Sequence, residues 1–291
     1  MAPEPDSEYP EKVRGARVVI AGATGFIGRA LAKSLSADGY EISALGRNAE
    51  RALQLLEPGV RSLSWEEGTS CLSAEMDGAL AVVNLAGENI GEGRWTRRKK
   101  GRIRESRLRA GMALTEAIRR AEKKPGVLIQ ASGVGYYGDT GGSVVNESAP
   151  AGSGFLGSLA PEWEDSTREV EPMDVRRAII RSAAVLGRDG GALPRMLPPF
   201  KWFMGGPLGN GKQAFPWIHI EDEVRAIRFL IDRDDLSGPF NLVAPGPVTN
   251  REFSKALGKA LGRPALLRVP GLSLRLLFGQ MASELLLSGQ K

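Results

Sequence analysis

The sequence predicts an α/β fold built on a doubly wound parallel sheet, with a small C-terminal α/β cap. Residues 18–21 have the pattern of a buried strand, which is followed by a glycine-rich turn and an apolar-periodic helix. Strand and helix patterns then alternate to about residue 187, which is typical of right-handed βαβ crossovers. Beyond Gly187 the chain is rich in glycine, proline and aromatic residues, as expected of a cap that forms a pocket.

The elements after the glycine turn alternate regularly. The predicted strands are residues 41–45, 60–65, 79–84, 127–131 and 177–184. The predicted helices are residues 49–56, 96–121 and 158–170. In the cap, we expect Asp222 to cap a helix over 223–231 and Asn250 to cap a helix over 250–261. A late strand at 240–243 and a final apolar helix at 272–287 complete the pattern.

This pattern divides the chain into three regions. Residues 1–14 are acidic and contain prolines, and we interpret them as a disordered leader. Residues 15–187 form the predicted dinucleotide-binding domain, to which a segment at about 216–244 returns. Residues 188–291 form the predicted substrate-capping domain.

The composition excludes several kinds of site. A single cysteine, Cys71, excludes an internal disulfide and suits a reducing compartment. A single histidine, His219, excludes a histidine-rich metal site, and no metal is predicted. No apolar run reaches the roughly 18–20 residues that a membrane helix needs. We therefore expect a cytoplasmic protein, with an organelle matrix left open.

Much of the net charge of +5 lies in one basic run, residues 94–109. Nucleic-acid binding is one interpretation of such a run. However, Trp95, Ile103, Leu108 and Met112 are interleaved with the charges, as on a helix with one buried face. We therefore interpret the run as a solvated basic face. A small-molecule substrate is expected, nucleic acid and membrane partners are not, and a homodimer is left open.

The glycine-rich turn predicts a dinucleotide site of the Rossmann type. Its glycines are spaced G-x-x-G-x-x-G, and they lie between a strand and a helix whose free N–H groups and dipole favour phosphate. The turn residues predicted to bind the cofactor are Gly22, Thr24, Gly25, Phe26, Ile27 and Gly28. Arg47 follows the second strand, where an enzyme selective for NAD would place an acid, and an arginine there suits the extra phosphate of NADP. The predicted cofactor is therefore NADP(H).

Two further strand ends carry candidate site residues. Asn84, Ala86 and Gly87 follow one strand and are predicted to contact the cofactor. The candidate catalytic residues at the other are Ser132, Tyr136 and Tyr137. A serine can donate to a substrate carbonyl, and a tyrosine can act as an acid beside a cation. Loop bracing by Ser132 and packing by Tyr136 are the structural alternatives. His219 is a further candidate acid, with a structural hydrogen bond to the backbone as its alternative.

Several separated motifs together resemble one family. They are GATGFIG, VVNLAGENI, ASGVGYYGDT, IIRSAAVLGRDGGAL and FPWIHIED. The chain resembles the extended and atypical short-chain dehydrogenase/reductases, and more narrowly the epimerase-family proteins with a C-terminal domain of unknown function. That resemblance implies a Rossmann domain with bound NADP and a small cap. It also implies a cap that is truncated at its C-terminus, because relatives continue past SGQK.

The same resemblance implies chemistry by Ser, Tyr and Lys, with the last two spaced Y-x-x-x-K. Ser132 matches the serine, but the tyrosine position is Phe155 and the lysine position is about Leu159. Neither side chain can transfer a proton. Two functions therefore stay open: an NADP(H)-dependent oxidoreductase or epimerase on a small polar carbonyl compound, and a catalytically inactive NADP(H)-binding sensor or scaffold.

Overall fold

A computed structural model describes residues 14–291, so nearly all of the predicted leader lies outside the described residues. The strands are β1 Arg17–Ala21, β2 Glu41–Gly46, β3 Arg61–Ser64, β4 Ala81–Asn84, β5 Val127–Gly133, β6 Arg176–Ser182, β7 Ala184–Gly187, β8 Gly190–Gly191, β9 Trp217–His219 and β10 Gly238–Leu242. The helices are α1 Phe26–Ala37, α2 Ala49–Leu55, α3 Thr69–Met76, α4 Arg97–Arg120, α5 Gly154–Asp165, α6 Leu193–Lys201, α7 Ile220–Asp232, α8 Asn250–Leu261 and α9 Gly271–Phe278.

Seven strands form one parallel sheet in the order β10-β6-β5-β4-β1-β2-β3. The chain starts in the middle with β1, runs outward to β3, and then returns to the other side of β1 with β4. The strand order therefore reverses between β1 and β4, and ligands of such sheets bind in the crevice at that point. The predicted doubly wound α/β fold is confirmed.

Both faces of the sheet are buried, as expected of a parallel sheet. On one face, alternate strand residues such as Ile129 and Ile180 pack in the same cluster as Leu31 of α1 and Ile227 of α7. On the other face, the intervening residues pack in a cluster with α3 and α4. A third cluster joins α4 and α5 to the segment after α9. This cluster attaches the C-terminal region to α4 and α5, two of the helices of the Rossmann domain.

The returning segment contributes to both sheets. β9 pairs with β7 in a small sheet of three strands, and β10 pairs with β6 at the edge of the large sheet. Between them, α7 contacts α1, β5 and β6. Within residues 14–291, no helix is both long enough and apolar enough to cross a bilayer.

Four details of the predicted helices are wrong. The helix expected over 158–170 is α5 at Gly154–Asp165, and a separate 3-10 helix follows at Arg168–Met173. The N-cap of α7 is His219 and not Asp222, which lies inside the first turn. The N-cap of α8 is Thr249 and not Asn250, because Thr249 and Glu252 form a capping box. The final helix is interrupted because Gly279 has a positive φ of 61°, which ends α9 before a single π-helical turn at Ala282–Leu286.

Candidate functional site

The glycine turn lies at the switch point and leaves no room for side chains at two positions. Gly22 has a φ of 82°, and a Cβ there would lie 2.8 Å from the carbonyl carbon of Leu85. A Cβ at Gly28 would lie 2.4 Å from the Gly22 oxygen. The turn is therefore in van der Waals contact with the loop after β4, and both positions need glycine.

The N-terminus of α1 keeps its first N–H groups available. Gly25 is the N-cap, no side chain caps the helix, and its first turn holds no acidic residue. The first bond from a helical N–H into this turn runs from Arg29 to the Gly25 oxygen, at 3.0 Å. The N–H groups of Phe26, Ile27 and Gly28 therefore face the crevice end of the helix without an intrahelical acceptor, which is an anion site of the kind that holds pyrophosphate.

The Phe26 side chain has a different role. Its ring fills a space among the glycines of the β7–β8 hairpin, where a Cβ at Gly190 would lie 2.3 Å from the ring. Phe26 therefore offers the crevice its backbone N–H, while its ring attaches the glycine turn to the small sheet. Thr24 is half-buried within the turn.

Arg47 stands beside this turn at the end of β2. The Gly22 N–H donates to the Leu45 oxygen at 2.9 Å, which holds the end of β2 next to the glycines. The Arg47 side chain is exposed, and within the described part of the chain no ion pair engages it. Its guanidinium is therefore free to meet a phosphate on the ribose.

The loop after β4 forms the other wall of the crevice. Asn84 is fully buried, and its Nδ2 donates to Gln130 Oε1 at 2.9 Å while its Oδ1 accepts from the Ala86 N–H at 3.3 Å. The side chain of this predicted cofactor residue thus shapes the loop. Ala86 and Gly87 follow it next to Gly22, and Gly87 lies against the guanidinium of Arg107.

Ser132 belongs to a buried polar network. Its Oγ donates to Glu164 Oε1 at 2.6 Å. Arg181 donates to both oxygens of the same carboxylate, from Nε and from Nη2, at 2.9 Å each. All three residues are less than a tenth exposed. The Ser132 hydroxyl therefore already donates its proton in a hydrogen bond to Glu164.

The two tyrosines converge on the same arginine. Tyr137 Oη accepts from Arg181 Nη1 at 2.9 Å and donates to Asn241 Oδ1 at 2.8 Å. The Tyr136 ring centroid lies 3.5 Å from the guanidinium carbon. Burial alone would lower the pKa of Arg181, but its bonds to Glu164 and Tyr137 outweigh burial and raise the pKa above its ordinary value. Arg181 is therefore a permanent cation that orders Ser132 and both tyrosines.

Sequence reasoning missed Glu164 and Arg181. A signal was present, because Arg181 interrupts the apolar pattern of β6 and sits opposite Ser132 in the register of β5 with β6. A charged side chain in a strand that is covered on both faces needs a buried partner. Glu164 supplies it from α5.

The positions expected to carry the Tyr–Lys pair are packed and apolar. The Phe155 ring makes an edge contact with Trp95 at a centroid distance of 5.2 Å, and Leu159 is buried in the same cluster. The N–H groups of Phe155 and Leu156 donate to Glu284 Oε1 and Oε2, at 2.8 and 2.9 Å. A carboxylate from the C-terminal segment thus caps α5.

His219 and Glu223 mark the start of α7. His219 Nδ1 accepts from the Glu221 N–H at 3.3 Å, which is a capping bond. Glu223 is fully buried, and Ser182 Oγ donates to its Oε1 at 2.5 Å. Burial raises the pKa of Glu223 to about 7, although the bond from Ser182 acts to lower it. Among residues 14–291, its Oε2 has no hydrogen-bond partner.

The aromatic residues of the cap and of the segment before α4 lie in different places. Trp95 is buried against Phe155, and Trp202 is 75% exposed. Phe215 and Trp217 line a mainly apolar recess that is open to Tyr137 and reaches Asn241. Groups of three or more metal-ligating side chains do not occur in the described range. The recess is therefore lined mainly by apolar and aromatic side chains, with the Tyr137 hydroxyl and the Asn241 amide among its polar groups.

The chain has close relatives over almost its whole length. Residues 18–158 match the NAD dependent epimerase/dehydratase family. The epimerase family protein ML0860 of Mycobacterium leprae is 40% identical over 280 residues, which are 96% of this chain and 88% of that protein. The human protein SDR39U1 is 37% identical over 278 residues, which are 94% and 90% of the two chains.

Solved structures agree with this relationship. The crystal structure of human SDR39U1 with NADPH matches with a TM-score of 0.85 at 36% identity, covering 94% of this chain and 90% of that one. A nucleoside-diphosphate sugar epimerase from Corynebacterium glutamicum matches with a TM-score of 0.69 at 31% identity, covering 94% of this chain and 59% of that one. The predicted resemblance is confirmed: the chain belongs to the epimerase family that includes SDR39U1, with the fold of the extended short-chain dehydrogenase/reductases.

Proposed function

We propose that this chain is an NADP(H)-binding sensor or scaffold, in which cofactor occupancy and not turnover is the function. One observation carries this choice. The Ser132 and Tyr137 hydroxyls, which are two of the candidate proton donors, both donate within the network around Arg181.

Cofactor binding is supported by the shape and charge of the crevice. Gly22 and Gly28 have no space for side chains, and the first N–H groups of α1 lack intrahelical acceptors. Arg47 stands exposed beside the turn, where it would hold the 2′-phosphate of NADPH. The structure of a relative at 36% identity with NADPH supports the same cofactor here.

The case against turnover rests on the missing proton donor. Bound NADPH supplies a hydride, and reduction of a carbonyl also needs a proton at the substrate oxygen. Phe155 and Leu159 cannot supply or tune one, and both are packed in an apolar cluster. The absence of a positioned acid typically costs about 10²–10⁴ in rate.

A second candidate function is favoured by the recess beside Tyr137. Phe215, Trp217 and Asn241 line this recess together with the tyrosine. A small polar carbonyl compound held there would meet the Tyr137 hydroxyl, whose proton Asn241 now accepts. An oxidoreductase or epimerase that uses Tyr137 as its acid is therefore the alternative.

Arg47→Ala is expected to weaken NADPH binding by about 10–100-fold and to leave NADH binding unchanged, because a charge-assisted hydrogen bond to phosphate contributes about 1.5–3 kcal/mol. Isothermal titration of both cofactors measures the preference. Arg51→Ala is the matched control, since Arg51 is an exposed arginine on the next helix. Equal affinities of the wild type for NADPH and NADH would contradict the assignment of Arg47.

A panel of aldehydes and ketones tests the choice between the two functions. We expect NADPH to be consumed at the rate of the buffer control, with no change in Tyr137→Phe. Tyr136→Phe is the control, because its ring can stay on Arg181. Turnover above background that falls about 10²–10⁴-fold in Tyr137→Phe, with NADPH affinity retained, would instead establish the enzyme.

A further inference from the structure

The cap carries a group of exposed apolar side chains. Eight large apolar residues in two segments of the cap are each more than half exposed. We call this surface the cap face, and it consists of residues 202–204, residues 266–267 and the outer leucines of α9, which are Leu272, Leu276 and Leu277. Single exposed apolar residues are normal on a protein surface, whereas a group of this size marks a contact surface.

Backbone hydrogen bonds hold the parts of the cap face together. The Leu267 N–H donates to the Gly205 oxygen at 3.2 Å, and the Val269 N–H donates to the Pro207 oxygen at 3.1 Å. α9 begins two residues later. Its outer leucines follow at helical spacing, while Leu274 is buried on the other side of the helix. The three parts are therefore neighbours in the fold.

The turn at residues 202–204 has a fixed backbone. The Phe203 N–H donates to the Phe200 oxygen at 3.0 Å, and the Met204 N–H donates to the Pro199 oxygen at 2.8 Å. Phe203 has a φ of 60°, in the left-handed region that a bulky residue rarely adopts. The turn thus holds three apolar side chains in solvent on an ordered backbone, which lowers the entropy cost of binding through them.

Basic residues surround the cap face, and its segments lack acidic ones. Residues 190–220 and 253–283 contain 8 of the chain's 39 lysines and arginines and none of its 34 aspartates and glutamates, so the rest of the chain has a net charge of −3. All eight basic side chains are exposed. Lys201 and Arg275 directly precede members of the cap face. The guanidinium carbon of Arg263 lies 4.4 Å from the centroid of the Phe203 ring.

An anionic lipid surface matches this combination better than other occupants do. A symmetric contact between two copies would bring the same cations together, which costs free energy at close range. Nucleic acid would meet the cations, but leucine side chains offer its bases no stacking surface. The interface of a bilayer accommodates Trp, Phe and Leu side chains, and its anionic headgroups attract lysine and arginine.

We propose that the cap face lies on the surface of an anionic membrane, with the turn at 202–204 and the outer leucines of α9 among the lipid headgroups. The long stems of Lys201 and Arg275 let their charges reach the lipid phosphates while the apolar side chains enter the layer below. The expectation of no membrane partner rests on the lack of a spanning run, and a surface that lies on a bilayer needs none. The proposal goes beyond cofactor binding and does not depend on it.

Sedimentation with vesicles tests the proposal on the whole chain without cofactor. Vesicles of phosphatidylcholine alone are compared with vesicles in which a third of the lipid is phosphatidylglycerol. We expect binding to the anionic vesicles that weakens as salt is added, and little binding to phosphatidylcholine. No binding to the anionic vesicles, or equal binding to both kinds, would overturn the proposal.

An apolar double variant assigns the contact to the cap face. Leu266→Ser with Leu276→Ser should weaken binding to the anionic vesicles by about 10-fold or more. The matched control is Leu53→Ser, because Leu53 is an exposed leucine on α2. Both proteins should keep the wild-type Tm, since the replaced side chains are exposed. Wild-type vesicle binding by the double variant would show that another surface contacts the lipid.

A basic double variant tests the charges in the same way. Lys201→Gln with Arg275→Gln should also weaken binding by about 10-fold or more, because each cation near an anionic surface contributes roughly 5-fold in affinity. Lys33→Gln with Arg51→Gln is the control, since both residues are exposed on α1 and α2. An equal loss in the two double variants would mean that only the net charge matters, and the cap face would lose its assignment.

Trp202 gives a direct readout of insertion. Of the five tryptophans, all within residues 14–291, Trp202 alone is exposed. Anionic vesicles with brominated acyl chains should quench the protein's fluorescence, and Trp202→Phe should remove most of that quenching. Equal quenching of the wild type and Trp202→Phe would contradict the proposed orientation.

Sedimentation velocity without lipid tests the second copy as occupant. We expect Leu266→Ser with Leu276→Ser to have the oligomeric state of the wild type. A wild-type dimer that dissociates in this variant would assign the cap face to a second copy and overturn the proposal.

Discussion

Replacing Arg181 by methionine is expected to lower the free energy of unfolding by about 3–5 kcal/mol, because it leaves a buried carboxylate without its counter-ion. Glu164 is 7% exposed, and both of its oxygens accept from Arg181. The same substitution removes the donor to Tyr137 and the cation beneath Tyr136. Urea denaturation of the wild type and the variant measures the loss.

Two further variants show whether the pair itself is responsible. Arg168→Ala removes an exposed arginine that lies 3.9 Å from Asp165, and it should change stability by at most about 1 kcal/mol. The double variant Glu164→Leu with Arg181→Met should be more stable than Arg181→Met alone, since no unpaired charge stays buried. Equal stability of the single and double variants would contradict this explanation.

Glu223→Gln is expected to abolish a large dependence of stability on pH. The pKa of Glu223 is about 7 in the folded protein, against an ordinary value of 4.5. The folded state therefore binds this proton more tightly than the unfolded state, and wild-type stability falls as pH rises from about 4.5 to about 7. The loss is on the order of 3 kcal/mol and is complete above that range. Glutamine keeps an acceptor for Ser182 and carries no charge.

Denaturant unfolding at pH 5, 6, 7 and 8 measures this effect. The stability of Glu223→Gln relative to the wild type should rise from pH 5 to pH 7 and then level off towards pH 8. Glu221→Gln is the control, because its side chain is 76% exposed two residues earlier on the same helix. Parallel pH curves for the wild type and Glu223→Gln would show that Glu223 is ionised, or has access to water, in the folded protein.

The sequence sufficed for those features that are set by local pattern. The glycine turn, the alternation of strands and helices and the switch point all follow from residues close together in the chain. Arg47 could be placed for the same reason, because its distance from the turn is short and both neighbouring elements are regular. The fold and the cofactor crevice can therefore be predicted from patterns of residues that are close together in the chain.

The polar network depends instead on how distant elements meet. Glu164 reaches Ser132 and Arg181 only because α5 packs over β5 and β6 in one register. No local pattern records that register, so the sequence indicates a hydroxyl donor at Ser132 but not the carboxylate that accepts from it. The same applies to Glu223, which lies on the buried face of α7 opposite Ser182. The sequence does not single out Arg107, because it lies in a run of basic residues, although its helical spacing places it on the buried face of α4.

The contact between Glu284 and α5 also sets an order of events during synthesis. Glu284 accepts from the N–H groups of Phe155 and Leu156, which precede it in the chain by 129 and 128 positions. At ribosomal rates of roughly 5–20 residues per second, that gap lasts roughly 6–26 s. Until the carboxylate emerges, the first turn of α5 can be satisfied only by water. The Rossmann half of the protein is therefore translated well before this helix acquires its final cap, which arrives with the C-terminal segment.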